Sequence, residues 1–367
     1  MTADERVHAV AKLRFTERQA RFLATVLLHS GVCLPRQYCA FAGIVHGEKT
    51  RRFFAKLVRR GFACDYPCRH NRGRIYHFHH KPLYATIGET ESRLRRPMSA
   101  ARVVENLIVL DAVLATPAVS WLSTADDANR DLAALLPPSP GARAWPLSEP
   151  VVGFHRGARD SLRMAIDPTG RPVFLYVATE LPTHGFHRVL QPLLSLADGL
   201  PGWTLRIAMS RFAASLCIPF RERVEHELTS FRPTLLKELT WYFAQRRAHE
   251  LNHVPIENEE DYDCDQEAFR AARYQVLYQR WLKEGNGALS VVSSTAAGDA
   301  IKSGAAQVEY HVLPFSYRHL SPVVNRPVRI HDGAEQGEKA GSASRPLALD
   351  SPSDLSRATN ARLDRGA

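Results

Sequence analysis

The chain has 367 residues, of which 45% are hydrophobic, and it carries a net charge of +10. This length is enough for two or three domains, and the hydrophobic content is typical of a globular protein. No apolar run approaches the roughly 20 residues that a membrane-spanning helix needs, so we expect no contact with a membrane.

The positive charge is concentrated near the N-terminus. Residues 1–100 contain 19 lysine and arginine residues against seven acidic residues, whereas the remaining 267 residues contain 29 against 31. A high-GC genome would also favour arginine, but it would spread arginine evenly along the chain. The asymmetry therefore predicts a polyanion-binding module joined to a near-neutral remainder.

The sequence around Met1 indicates the compartment. It reads Met-Thr-Ala-Asp-Glu, which includes two acids and lacks the pattern of a signal peptide. We therefore expect a cytoplasmic protein in which the six cysteines are reduced thiols.

Residues 1–90 carry the signals of a winged helix-turn-helix domain. Thr16 is a good helix N-cap, and Gln19 stands three residues later, as in a capping box. Pro35 suits the first turn of a second, short helix. A basic helix is predicted from about residue 47 to residue 60.

Two strand-like runs, 62–67 and 75–79, follow the basic helix and flank a polar tip, so they are predicted to form a β-hairpin. The order helix, helix, basic helix, hairpin is that of a winged helix, in which the tip of the hairpin is the wing.

Four further regions are predicted beyond residue 90. They are a connecting helix within 91–136, a linker at 137–158, an α/β domain with C-terminal helices at 159–330, and a disordered tail at 331–367. The apolar side of the connecting helix, at 98–115, either packs against its own domain or forms a dimer contact.

The α/β prediction depends on a strand, strand, helix, strand pattern, and the whole chain is therefore predicted to be α+β. The elements are strands at 162–166 and 172–178, a helix near 187–200, a strand at 203–209, helices at 219–250 and 263–283, and a last strand at 311–313.

The basic helix is the strongest functional signal. At about 100° per residue, it places its cations on one narrow arc and Phe53, Phe54 and Leu57 on a neighbouring arc that can face a core. We expect base contacts toward its N-terminal half, and phosphate contacts toward its C-terminal half and the wing. The predicted DNA-binding residues are Lys49, Thr50, Arg51, Arg52, Lys56, Arg59, Arg60, Arg69, Arg72 and Arg74. The alternative is a solvated charged face on a domain that binds protein.

Thiols and imidazoles on the predicted hairpin suggest zinc as an alternative. The candidates are Cys64, Cys68, His70, His77 and His79. Such side chains can form a tetrahedral zinc site, but their spacing fits no common zinc pattern. Ordinary strand residues explain them more simply, so we expect no metal and no cofactor.

Acidic residues near the second predicted hairpin suggest a metal-dependent nuclease, because carboxylates on such a hairpin can hold Mg²⁺. The candidates are Asp160, Asp167 and Glu180. However, the strand at 172–178 carries no acid, no lysine follows Glu180, and Asp167 lies in an Asp-Pro-Thr-Gly sequence that is typical of a turn.

Three segments resemble the winged-helix region of plasmid replication-relaxation proteins and of uncharacterised proteins from bacterial integrative and conjugative elements. They are residues 15–19, 56–62 and 76–84. The resemblance implies a winged helix followed by a small α/β domain that is similar to a degenerate restriction-endonuclease-like fold. It matches Asp160 to the family's first acid, and the next acid would fall near 176–178, where this chain has none.

We therefore predict a double-stranded DNA-binding protein of a bacterial mobile element, acting in regulation, replication or transfer through a winged helix, and we favour binding over cleavage. We expect a homodimer, because one winged helix buries a modest footprint on DNA. The alternatives are a metal-dependent nuclease that uses Asp160 and Asp167, and a protein-interaction scaffold.

Overall fold

A computed structural model describes residues 1–68, 73–122, 162–182, 200–228, 233–270, 272–289 and 296–317, with isolated residues between 127 and 135, between 185 and 193, and at 320. These residues lie in one compact unit that spans Met1–Arg329. Helices surround a small antiparallel sheet and a five-stranded mixed sheet. The predicted α+β class is therefore confirmed. The predicted linker at 137–158 and tail at 331–367 lie outside the described residues.

The N-terminal module (residues 1–86) combines helices with a small antiparallel sheet in the order β1-β3-β2. The predicted hairpin is confirmed, whereas α1 and β1 are absent from the sequence-based prediction. The elements are α1 (Ala3–Ala11), α2 (Glu17–His29), β1 (Val32–Cys33), α3 (Pro35–Ala42), α4 (Glu48–Arg59), β2 (Ala63–Pro67), β3 (Arg74–Phe78) and α5 (Lys81–Thr86).

Local chemistry sets the helix ends of this module. Thr16 Oγ1 accepts the backbone N–H of Gln19 at 3.3 Å, and the Gln19 side chain accepts the backbone N–H of Thr16 at 3.2 Å. This is the predicted capping box. Pro35 occupies the first turn of α3. Gly61 follows α4 with a φ of 66°, which a glycine adopts at little cost.

The second sheet has the order β4-β5-β6-β7-β8. Its strands are β4 (Ser120–Trp121), β5 (Leu162–Ile166), β6 (Pro172–Ala178), β7 (Trp203–Ser210) and β8 (Ala306–Leu313). The first three pair antiparallel, whereas β6, β7 and β8 are parallel. Strand β6 is the central strand of this sheet. Strand β8 begins five residues earlier than predicted, because Gln307 and Glu309 interrupt its apolar pattern.

Helix α6 (Ala100–Leu114) lies between the N-terminal module and the mixed sheet. Its Leu110 packs in the core of the module, whereas Leu107 and Ile108 share a second core with Leu175 and Val177 of β6. Most of the helix is therefore buried. Packing is the confirmed role of this helix, and its apolar side is not available for a dimer contact.

Buried polar contacts fix α6 to the N-terminal module. Asn106 Nδ2 donates to the backbone carbonyl of Ser30 at 3.0 Å, and Gln37 Nε2 donates to the carbonyl of Leu107 at 2.9 Å. Asn106, Ser30 and Gln37 are fully buried. Because unpaired polar groups in a core are costly, these bonds help to select one orientation of the module on α6.

The C-terminal helices cover the other face of the mixed sheet and form a separate aromatic core. They are α7 (Cys217–Leu228), α8 (Pro233–Asn252), α9 (Glu259–Ala268), α10 (Ala272–Glu284) and α11 (Ala296–Lys302). Phe220 of α7 packs on the sheet, whereas Phe243, Tyr278 and Trp281 of α8 and α10 belong to the separate core. The predicted helical segment at 219–250 is confirmed where the structure describes it, at 219–228 and 233–250, and residues 229–232 lie outside the described residues.

Candidate nucleic-acid interface

Helix α4 has one buried side and one charged side. Phe53, Phe54 and Leu57 are buried. The ring of Phe53 stacks on Tyr38 at 4.4 Å between centroids, and the ring of Phe54 stacks on Tyr76 of β3 at 4.2 Å. The apolar side therefore anchors α4 against α3 and the small sheet, which leaves the opposite side exposed.

Three cations of the N-terminal half of α4 are exposed: Lys49, Arg51 and Arg52, which we call the basic arc. Glu48 pairs with two of them, at 2.7 Å from Arg52 and 3.1 Å from Arg51. These charges hold the pKa of Glu48 below its usual value, and the hydrogen bond from Arg52 is the largest cause. Within the described residues, Lys49 has no ion-pair partner.

Thr50 does not belong to this exposed surface, so its prediction as a DNA-binding residue is wrong for this conformation. Its side chain is buried, and its Oγ1 lies 3.3 Å from Cys39 Sγ in α3. The helical spacing contained the signal, because Thr50 precedes Phe53, Phe54 and Leu57 by three, four and seven residues and therefore shares their side of the helix.

The C-terminal half of α4 brings four cations together: Arg14, Lys56, Arg59 and Arg60, which we call the cation cluster. Lys56 Nζ donates a very short hydrogen bond to the carbonyl of Arg14, and Arg60 Nη1 donates to the carbonyl of Leu13 at 2.5 Å. The same two side chains lie over the Phe15 ring, at 4.5 and 5.5 Å from its centroid. These contacts fix two of the predicted cations on the loop before α2.

The cation cluster has no acidic partner within the described residues. Partial burial lowers the pKa of Lys56, and the neighbouring charges of Arg60, Arg59 and Arg14 lower it further. A group of like charges without counter-charge attracts an anion, and a phosphate is the anion that arginine binds well. Arg14 is absent from the sequence-based prediction, because only the fold brings it to α4.

The β2–β3 hairpin, which is the predicted wing, is described in part. Arg74 begins β3 and pairs closely with Asp65 of β2, so its charge is partly neutralised. The backbone N–H of Cys68 donates to the carbonyl of Gly73 at 2.8 Å, which closes the base of the tip. The predicted contacts Arg69 and Arg72 lie outside the described residues.

The zinc candidates are dispersed. Cys64 Sγ lies 3.9 Å from His79 Nε2, but His77 Nε2 faces the carbonyl of Leu94 at 3.1 Å, and Cys68 is buried in another core. His70 lies outside the described residues. Among the residues that the structure describes, no group of three or more potential ligands is placed to hold a metal ion.

The acidic candidates do not form a site within the described part of the chain. Asp167 Oδ1 accepts hydrogen bonds from the backbone N–H of Thr169 at 2.8 Å and of Arg171 at 2.9 Å. These bonds stabilise the turn between β5 and β6 and help to keep the pKa of Asp167 low despite partial burial. Glu180 is exposed beyond the end of β6. Asp160 lies outside the described residues.

Comparison with known proteins does not identify a family for the chain. No protein-family model, curated protein or solved structure matches the chain. Within the described residues, no helix combines the length and apolar character that crossing a membrane requires.

Proposed function

We propose that this protein binds double-stranded DNA through a winged helix, with α4 as the recognition helix. The observation that carries the proposal is the two-sided character of α4, which buries Phe53, Phe54 and Leu57 and exposes the basic arc. A helix anchored in this way can enter the major groove without losing its own core.

The order of elements supports the winged-helix assignment. Helix α2, strand β1, helices α3 and α4, and strands β2 and β3 follow one another, and the sheet order is β1-β3-β2. In such an arrangement α3 and α4 form the helix-turn-helix, and the β2–β3 hairpin is the wing.

The two groups of cations have different roles in this proposal. Lys49 and the arginines of the basic arc lie on the part of α4 that reaches base edges in helix-turn-helix proteins. Within the cation cluster, the Lys56 and Arg60 side chains are held by the carbonyls of Arg14 and Leu13 and by the ring of Phe15. The cluster therefore presents a preformed charge to a backbone phosphate. The resemblance to plasmid replication-relaxation proteins supports a role in replication, transfer or regulation of a mobile element, with DNA as the partner and the cytoplasm as the compartment.

Titration of duplex DNA at several salt concentrations tests the proposal. We expect the affinity to fall steeply with salt, because phosphate contacts release counterions. The double variant Lys49→Ala, Arg52→Ala should bind at least tenfold more weakly than the parent. Arg21→Ala is the matched control, because Arg21 is an exposed arginine of α2 that pairs with Glu17. A weak, salt-independent response would favour the protein-interaction scaffold instead.

The nuclease alternative has one structural argument. The order α6, β4, β5, β6, β7, with β6 and β7 parallel, is compatible with a restriction-endonuclease-like core. Cleavage of supercoiled plasmid in Mg²⁺ or Mn²⁺ that is lost in Asp160→Ala would support this alternative. We favour DNA binding without cleavage, because β6 carries no acid.

A further inference from the structure

Strand β8 is an edge of the mixed sheet, and no strand among the described residues pairs with its outer side. The hydrogen-bond pattern between β7 and β8 shows which backbone N–H and C=O groups of β8 point away from β7. Trp203 is the register partner of Ala306, and its N–H donates to the carbonyl of residue 305 at 3.3 Å. In a parallel ladder, alternate residues bond to the neighbouring strand. The N–H and C=O groups that point outward therefore belong to Ala306, Val308, Tyr310 and Val312.

This edge lacks the features that usually prevent strands from pairing. It is eight residues long and contains no lysine, proline or glycine. Its one acid, Glu309, is already paired with Arg206 of β7 at 2.7 Å. Val312 is 39% exposed although it lies within the strand. A long edge of β-branched and aromatic residues is a ready template for another strand.

We propose that the outer edge of β8 pairs antiparallel with β8 of a second copy of this chain, across a two-fold axis at Tyr310. In this register Tyr310 faces Tyr310 of the second copy, and Val308 faces Val312. These are the residues whose backbone groups point outward, so they can exchange N–H···O=C bonds in pairs. Pro314 follows the strand and has no N–H to donate, which limits the paired segment.

Donor–acceptor complementarity between polar side chains favours this register and a second copy as the occupant. With the axis at Tyr310, Glu309 lies opposite His311 of the second copy, and the same contact occurs twice. Side chains are closest at such non-hydrogen-bonded positions, so a carboxylate facing an imidazole is favourable. With the axis at Glu309, two carboxylates would face each other. Of these two registers, the strand is therefore complementary to itself in the one centred on Tyr310.

Sedimentation of the full chain without DNA tests the proposal, and it does not depend on the proposed function. We expect a dimer at tens of micromolar for the parent. Val312→Pro should be monomeric and should keep the thermal midpoint that the parent shows at concentrations too low for dimerisation, because it removes an outward N–H and no bond to β7. Val312→Ala keeps the N–H and should remain dimeric. A monomeric parent, or a Val312→Pro variant that stays dimeric, would overturn the proposal.

Disulfide trapping tests the register. Two Tyr310→Cys residues would lie about 5.5 Å apart between Cα atoms, within the range of a disulfide. Two Val308→Cys residues would lie on the order of 13 Å apart, because they are offset by four residues. In a Cys264→Ser background, which removes the exposed native thiol, Tyr310→Cys should form a covalent dimer and Val308→Cys should not. The opposite pattern, or equal trapping, would refute the register.

Discussion

The guanidinium of Arg36 in α3 makes a bidentate ion pair with the carboxylate of Asp111 in α6, at 2.8 and 2.7 Å. Tyr317, which follows β8, also donates a short hydrogen bond to Asp111. The ring of Phe315 lies 3.8 Å from the Arg36 guanidinium carbon. The first helix of the proposed helix-turn-helix is thus connected to α6 and to the segment after the last strand.

Breaking this ion pair should destabilise the fold asymmetrically. The Asp111 side chain is 4% exposed and the Arg36 side chain is 32% exposed. A buried charge left without its partner is costly, so we expect Arg36→Met to lower the free energy of unfolding by about 3 kcal/mol. Asp111→Asn should cost less, about 2 kcal/mol, because water can solvate part of the remaining guanidinium. Urea denaturation checks the order, and an equal or reversed cost would contradict this reading.

Removing Glu48 should strengthen DNA binding. Its carboxylate pairs with Arg51 and Arg52, so in the proposed function it would compete with DNA for the basic arc. We expect Glu48→Gln to bind duplex DNA severalfold more tightly than the parent, with the gain largest at low salt. Glu17→Gln removes a comparable exposed pair on α2 and is the control. If both variants gain equally, the effect is one of net charge and not of α4.

Two buried histidines should make the fold sensitive to acid. Burial lowers the pKa of His77 to about 4 and that of His29 to about 3, and the charges of Arg163 and Arg6 contribute at His29. The unfolded chain takes up these protons near pH 6.5, before the folded protein does. The free energy of unfolding is therefore highest above pH 6.5 and should fall as the pH drops toward 4, by about 3 kcal/mol for His77 alone.

Substitution of one histidine checks the origin of this slope. We expect His77→Gln to reduce the pH dependence of urea unfolding between pH 6.5 and pH 4 by about half, because an amide can still donate to the carbonyl of Leu94 but does not titrate there, whereas His29 keeps its contribution. His46 is exposed, so His46→Gln should keep the slope of the parent. An unchanged slope in His77→Gln would show that the acid sensitivity lies elsewhere.

Two glycines with similar backbone angles should respond differently to alanine. Gly31 and Gly61 have φ values of 70° and 66°. A Cβ on Gly31 would lie 2.5 Å from the carbonyl oxygen of Leu94, whereas a Cβ on Gly61 would meet nothing within 4 Å. We expect Gly61→Ala to lower the free energy of unfolding by about 1 kcal/mol, because of the left-handed backbone alone. Gly31→Ala should lower it by about 1–3 kcal/mol more, because its Cβ also clashes with Leu94. Equal thermal midpoints for the two variants would contradict this prediction.

The sequence predicted those features that depend on short-range pattern. The capping box at Thr16, the amphipathic α4, the β2–β3 hairpin and the β5–β6 hairpin all follow from spacing within about ten residues. Strand β1 was not predictable in this way, because two residues become a strand only when β3 pairs with them.

The candidate interface shows the same limit. The exposed side of α4 was predictable, but the contact between Lys56 and Arg14 depends on residues 42 positions apart. The burial of Thr50 depends in addition on α3, which packs Cys39 against it. Tertiary contacts of this kind decide which cations remain free for DNA, and no local pattern reports them.

The position of helix α6 has a consequence for the thermal unfolding of the protein. Because Leu110 completes one core and Leu107 another, neither half can melt while the other keeps its packing. We expect a single calorimetric transition for the N-terminal module and the mixed sheet, including β8, with calorimetric and van't Hoff enthalpies in agreement. An N-terminal fragment that ends before residue 100 lacks α6, so the apolar surface around Val32 and Ile75 would be open to water. We expect this fragment to aggregate instead of folding.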